Sequence, residues 1–182
     1  MSKRVLVTGA NGFVGSFVTQ ELQRLGHHVV AVVRNEEAAQ NFRKTQIKYK
    51  IVADSLLVDA WLPAMDGIDA VLHLAGRAHI MEDKHPDPLQ AFREVNVEMT
   101  KALAQAAVAC GVSRFIYASS VKVHDVDVRD TALEPMELLN PQDPYGRSKW
   151  EAENYLKEFG EQNKMQCALV RLPLIFGPGV KG

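Results

Sequence analysis

Three glycines at positions 9, 12 and 15, set directly behind the apolar run Val5–Val7, constrain this chain more than any other feature. The segment VLVTGANGFVG reads as a buried strand ending at Thr8, a tight turn, and a helix opening near Phe13. Each glycine has its own reason to lack a side chain. Gly9 permits the turn, Gly12 lets the backbone approach a pyrophosphate, and Gly15 lets helix and strand pack closely. The anion then lies against backbone N–H groups at the positive end of the helix. Glycines also collect in ordinary turns. Here Phe13, Val14, Phe17, Val18 and Leu22 follow at helical spacing, which favours the strand–turn–helix reading.

The rest of the chain repeats that unit. Gly26 closes the first helix at Leu25, and Val29–Val33 form a second buried strand. Asn35 is placed to cap a short helix through Phe42. Ile47–Val52 supply a third strand, Leu56–Met65 a modest helix interrupted by Pro63, and Ala70–Ala75 a fourth strand after the Asp66-Gly67 turn. Leu89–Cys110 make the longest helix, with Leu89, Phe92, Val95, Met99, Leu103 and Ala106 as its apolar stripe. Phe115–Ala118 form a fifth strand. Asp125–Asp143 run as an acidic loop, Tyr145–Phe159 return to helix, and Cys167–Leu172 give a sixth strand. This alternation predicts a doubly wound parallel sheet covered by helices on both faces.

Composition removes several classes of function. With 182 residues, 47% hydrophobic and 24% charged, the chain has the makings of one folded domain. A net charge of -1 gives no polybasic surface, so nucleic acid is not an expected partner. Cys110 and Cys167 are two isolated thiols, as a reducing compartment allows. The stretch before Val5 lacks a leader pattern, and no apolar run is long enough to span a bilayer, so a cytoplasmic protein without membrane insertion is expected. The histidines at 27, 28, 73, 79 and 85 show no metal-ligand spacing, and no metal is expected. The ending LIFGPGVKG has the composition of a loop, which leads us to expect the N-terminal part of a longer protein.

Two groups of residues are chemically pointed. Tyr145 and Lys149 lie four apart, on one face of a helix. The ammonium is expected to lower the pKa of the phenol, making Tyr145 a proton donor and acceptor for an alcohol oxygen. Ser119 and Ser120 follow the fifth strand, and ligands of open parallel sheets bind beyond the carboxyl ends of the strands. One of these hydroxyls can support the reacting oxygen; position alone leaves a plain strand-end pair equally open.

In this order, TGANGFVG, HLAG at His73–Gly76, the serines at 119 and 120, PYGRSKWEAE from Pro144, and RLPLIFGPGVKG resemble the extended short-chain dehydrogenase/reductase superfamily, in its nucleotide-sugar epimerase/dehydratase branch. The resemblance covers essentially the whole chain and implies a Rossmann-like α/β fold over residues 1–182, truncated before a C-terminal substrate-binding part. It implies a cofactor site formed by Gly9, Asn11, Gly12, Phe13, Val14, Gly15, Arg34, Asp54, Ser55, Leu74, Ala75, Gly76, Lys149 and Pro173. Asp54 would lie near the adenine amino group, Ala75 and Gly76 along the ribose, and Pro173 near the nicotinamide carboxamide. Ser120, Tyr145 and Lys149 match the catalytic residues, and Asn96 a structural asparagine. His79 and Lys122 are possible substrate contacts. The two long helices would pair in a homodimer.

Two departures shape the expected activity. Many NAD-specific relatives have an acidic residue after the second strand, where this chain has Val33-Arg34. An arginine there can pair with a 2′-phosphate, stack on adenine, or simply be solvated, and the expectation leans slightly from NAD toward NADP. After the serines the chain reads SSVKVHD, with His124-Asp125 in place of the common Tyr-Gly pair. The expected reaction is 4-epimerisation of a UDP-hexose or UDP-N-acetylhexosamine through a 4-keto sugar. A 4-keto reductase using NADPH is the alternative, and a non-catalytic dinucleotide-binding module ranks lower. Val121-Lys122 lacks the Asp-Glu pair common in dehydratases.

Overall fold

The computed structural model describes residues 1–78, 85–124, 139 and 141–180. His79 and most of the acidic stretch between Asp125 and Asp143 lie outside the described residues. Six parallel strands, β1 (Arg4–Thr8), β2 (His28–Val33), β3 (Lys48–Ile51), β4 (Ala70–His73), β5 (Arg114–Ser120) and β6 (Gln166–Leu172), form one sheet in the order β3-β2-β1-β4-β5-β6. The chain winds outward from β1 to β3, then crosses back to β4 and winds the other way. That reversal opens a crevice beyond the carboxyl ends of β1 and β4, where ligands of such sheets bind.

Strand alternation sorts the core into two layers. Leu6, Val30, Val32, Val71, Phe115 and Tyr117 face one layer, which also takes Trp61, Leu103 and Leu156 from the helices of that side. Val5, Val7, Val29, Ala31 and Val33 face the other, with Ala39 and Phe42. Helices α1 (Phe13–Arg24) and α2 (Glu36–Arg43) lie over β1–β3 on this second face. Cover is thinner beyond them than the alternation predicts, and Val170 of β6 is 44% exposed.

Local chemistry accounts for the helix ends. The Asn35 side chain accepts a hydrogen bond from the Ala38 N–H at 2.9 Å and caps α2. Pro63 shortens the expected Leu56–Met65 helix to α3 (Val58–Trp61), followed by a 3₁₀ turn over Leu62–Ala64. The expected continuous helix from Leu89 is instead α4 (Pro88–Arg93), a π-helical turn (Glu94–Glu98) and α5 (Met99–Ala109). The wide turn places polar Asn96 in the interior, 1% exposed. The longest regular helix is α6 (Pro144–Asn163). It runs through Gly160, where a Cβ would meet Cys167 Sγ at 2.7 Å, and Lys164 closes it in the left-handed region at φ 57°.

Candidate active site

The glycine turn meets β4 more closely than its sequence discloses. Gly9 has φ +64°, and a Cβ there would come within 2.7 Å of the Ala75 nitrogen. A Cβ on Gly15 would come within 2.1 Å of the Gly9 carbonyl oxygen. The first glycine thus serves both a left-handed turn and a backbone contact with the loop after β4, and the third allows α1 to sit on the turn. Gly12 is the extended residue preceding α1, and its N–H donates to the Gly9 carbonyl at 2.9 Å. No side chain caps α1 and no acidic residue occupies its first turn. Its positive end therefore faces the crevice without a competing carboxylate of its own, as an anionic group requires. Asn11 is exposed in the turn, while Phe13 and Val14 are half-buried at the start of the helix.

The other expected cofactor residues follow the carboxyl ends of the strands. Arg34 is exposed immediately after β2, and Asp54 and Ser55 follow β3, with Asp54 exposed and the Ser55 carbonyl accepting from the Trp61 indole at 3.0 Å. Leu74, Ala75 and Gly76 follow β4, and Pro173 is exposed after β6. Lys122 is exposed in a 3₁₀ turn (Val121–His124) after β5. Its backbone carbonyl lies 2.6 Å from where a Cβ on Gly146 would fall. Gly146 therefore lets the first turn of α6 pack against this segment, a role the sequence reading leaves out.

Ser119 and Ser120 are the last two residues of β5, which runs past the expected end at Ala118. Adjacent strand residues point to opposite sides, so the two hydroxyls have different surroundings. Ser120 Oγ accepts from the Lys122 N–H at 3.2 Å and lies close enough to the Tyr145 phenol to act on it electrostatically, whereas the buried Ser119 hydroxyl has no hydrogen-bond partner among the described residues. The Asp143 carboxylate accepts from Gly146 N–H at 2.9 Å, capping α6 and fixing Tyr145 in its first turn. The Tyr145 ring also packs 5.9 Å from that of Phe92.

The electrostatics correct one expectation. Lys149 does not pull the Tyr145 phenol down. Burial raises its pKa, Ser120 opposes that rise, and Asp143 adds to it. The physical reason is the course of the Lys149 side chain, whose Nζ lies over the Tyr117 ring, 4.1 Å from its centre. A Cβ on Gly76 would fall 3.8 Å from the same nitrogen, so the ammonium reaches the loop after β4. Burial takes the Lys149 pKa down to about 7, with Glu153 pulling the other way.

Behind these residues lies an ionic cluster that the sequence reading missed. Arg171 of β6 grips Glu153 of α6 with two bonds, 3.0 Å from Nε to Oε1 and 2.7 Å from Nη2 to Oε2. Its Nη1 lies 3.1 Å from His124 Nε2. Burial works against the ionised Glu153, but Arg171, with Lys157 beside it, outweighs it and holds the carboxyl below its ordinary value. The available signal was spacing: Glu153 follows Lys149 by the same four residues that separate Lys149 from Tyr145. Arg171 sits in an apolar strand and gave no comparable sign. Among the described residues, no group of three or more histidine, cysteine or acidic side chains is placed to hold a metal ion.

A six-stranded parallel sheet with a glycine turn at its switch point defines a Rossmann-like α/β protein of the dinucleotide-binding class. The chain belongs to the NAD dependent epimerase/dehydratase family, whose sequence profile matches residues 5–182. It is 34% identical over 183 residues to a UDP-glucose 4-epimerase of Vibrio cholerae, covering 100% of this chain and 54% of that protein. Identity to a dTDP-D-glucose 4,6-dehydratase of Mus musculus is 30% over 189 residues, covering 97% and 52%. The solved UDP-glucose 4-epimerase of Brucella ovis, in complex with NAD, aligns with a TM-score of 0.79 at 26% identity, over 93% of this chain and 51% of that one. The chain spans about half the length of these relatives.

Proposed function

We propose that this chain is the NAD(P)-binding part of a nucleotide-sugar 4-epimerase acting on a UDP-hexose or UDP-N-acetylhexosamine. The observations that carry the reading are Ser120 at the end of β5, close enough to act on the Tyr145 phenol of α6, and a glycine turn whose helix end is free of acidic residues. Identity to the Vibrio cholerae UDP-glucose 4-epimerase supports the choice of reaction. Residues Gly9–Gly15 would hold the pyrophosphate, Ala75–Gly76 and Lys149 the ribose side, and Asp54 the adenine. When bound, the cofactor supplies a hydride acceptor and donor. Tyr145 would exchange the proton with the sugar hydroxyl while Ser120 holds the same oxygen as it becomes a carbonyl; because burial holds the phenol protonated in the free chain, Tyr145 has to lose that proton before it can act as the base. Both must approach that oxygen to about 3 Å. Lys149 places positive charge beside this region when protonated, and Glu153, held ionised by Arg171, supports that charge.

Reduction of a 4-keto sugar by NADPH is the second reading. It is favoured by Arg34, an exposed cation at the β2 end where a carboxylate would repel a 2′-phosphate. A nucleotide-sugar panel, assayed for C4 epimers and for net NAD(P)H use together, separates the two. Product without net oxidation supports epimerisation; stoichiometric NADPH use supports reduction and overturns the first reading.

A further inference from the structure

A buried histidine lies beneath the cofactor-facing loop, and the chemistry proposed above does not use it. His73 ends β4, paired in register with Thr8 at the end of β1, and is 0% exposed. Its Nδ1 lies 2.6 Å from Thr8 Oγ1 and its Nε2 lies 2.9 Å from Thr100 Oγ1. The protons of this array can be assigned by donor logic. The Asn96 backbone carbonyl can only accept, so the Thr100 hydroxyl donates to it at 2.8 Å. Having spent its one proton, Thr100 must accept from His73, which places a hydrogen on Nε2. On the other side, the Ala75 N–H donates to Thr8 Oγ1 at 3.1 Å. The Thr8 hydroxyl proton is then directed at His73 Nδ1, which accepts it as a lone pair.

The array continues to the opposite wall of the crevice. Asn96 Oδ1 accepts from Arg77 N–H at 2.8 Å, and its Nδ2 donates to the Arg77 carbonyl at 3.1 Å and to Ser148 Oγ at 2.9 Å. Ser148 Oγ donates in turn to the Tyr145 carbonyl at 2.8 Å. Thr8, next to the glycine turn, is thus joined through His73, Thr100 and Asn96 to the first turn of α6.

We propose that His73 is a neutral positioning residue, protonated on Nε2, that sets the loop Leu74–Arg77 in register with the glycine turn and with Tyr145. The side chains facing it fit a neutral ring. Thr8 comes from β1 and Thr100 from α5, while the Phe115 and Tyr117 rings of β5 pack at 6.0 and 5.6 Å. Lys149 of α6 is the cation that acts on the ring. Burial, with Lys149 adding to it, brings the His73 pKa down to about 3. A second proton on Nδ1 would make Thr8 Oγ1 the acceptor on this side too, and the Thr8 hydroxyl proton would lose the ring nitrogen as its acceptor.

The inference rests on the cofactor reading for its purpose, and its test separates the two. Nitrogen NMR of the unmodified protein from pH 5 to 8 should show one neutral Nε2–H tautomer that does not titrate; an Nδ1–H tautomer, or titration in that range, overturns the proposal. Calorimetry should then show that Thr100→Val, which removes the acceptor for Nε2–H at nearly constant volume, weakens dinucleotide binding about tenfold, with Thr100→Ser restoring it. If Thr100→Val lowers the melting temperature but binds as the parent does, His73 is structural only and the proposal fails. A parent that binds neither NAD nor NADP refutes the cofactor reading, and the positioning role with it.

Discussion

Lys149 pays for its position in stability, and the cost has a definite pH dependence. Its pKa falls from 10.5 in the open chain to about 7 in the fold, because burial disfavours the ammonium. Below about pH 7 both states hold the proton, and the full penalty for burying charge applies. Between about 7 and 10.5 the unfolded chain binds more protons than the folded one, so this group's contribution to stability rises with pH. Lys149→Met should therefore stabilise the fold, and by more at pH 6 than at pH 10, as read by urea denaturation. An equal gain at both values would show that the lysine is not desolvated as described. Tyr145 differs in kind, since its expected contribution is to turnover. Tyr145→Phe in the active enzyme should lower kcat by roughly 10²- to 10⁴-fold and leave the dinucleotide Kd nearly unchanged. Rates within a few-fold of the parent would remove it from proton transfer. For Arg34, the expected result of Arg34→Ala is a larger loss of binding for NADP than for NAD; equal changes in the two dissociation constants would leave it no role at a 2′-phosphate.

Between elements, the Glu153–Arg171 pair fastens α6 to β6. The Glu153 side chain is 0% exposed and that of Arg171 is 14%, so removing one partner strands a charge in a poorly solvated site. Glu153→Gln should cost about 3–5 kcal/mol, whereas Glu153→Leu combined with Arg171→Met should cost far less. Equal losses in the single and double variants would show that packing, and not an unpaired charge, sets the cost. This cluster also marks the limit of what can be read from the residues in order. Strands and helices were legible because apolar periodicity and glycine turns are local signals, and Tyr145/Lys149 because four residues make one helical turn. The contacts that orient them were not. Arg171 meets Glu153 across two elements, Gly9 meets Ala75 from a distant loop, and the π-helical turn at Asn96 breaks a stripe that reads as regular helix. Lys149 shows the same limit: its place on α6 was legible, but its course onto the Tyr117 ring depends on β5.

At the scale of the whole molecule, the two windings of the sheet meet between β1 and β4, and every proposed cofactor contact is referred to that seam. Gly9 lies on one side and Ala75 on the other, at a separation that leaves no space for a Cβ. Six strands and their helices form this arrangement within a chain that spans about half the length of its relatives. Dinucleotide binding is thus predicted for the chain as it stands, while sugar turnover is expected to be low, since a misplacement near 1 Å can cost about 10²-fold. The most direct measurement is calorimetric titration of the 182-residue chain with NAD and NADP, beside a Gly15→Ala variant whose fold is checked by circular dichroism. The account predicts one dinucleotide bound per parent chain and binding strongly weakened in the variant, because the added methyl forces α1 off the turn. A folded parent that binds neither dinucleotide, or a variant that binds as tightly as the parent, would contradict it.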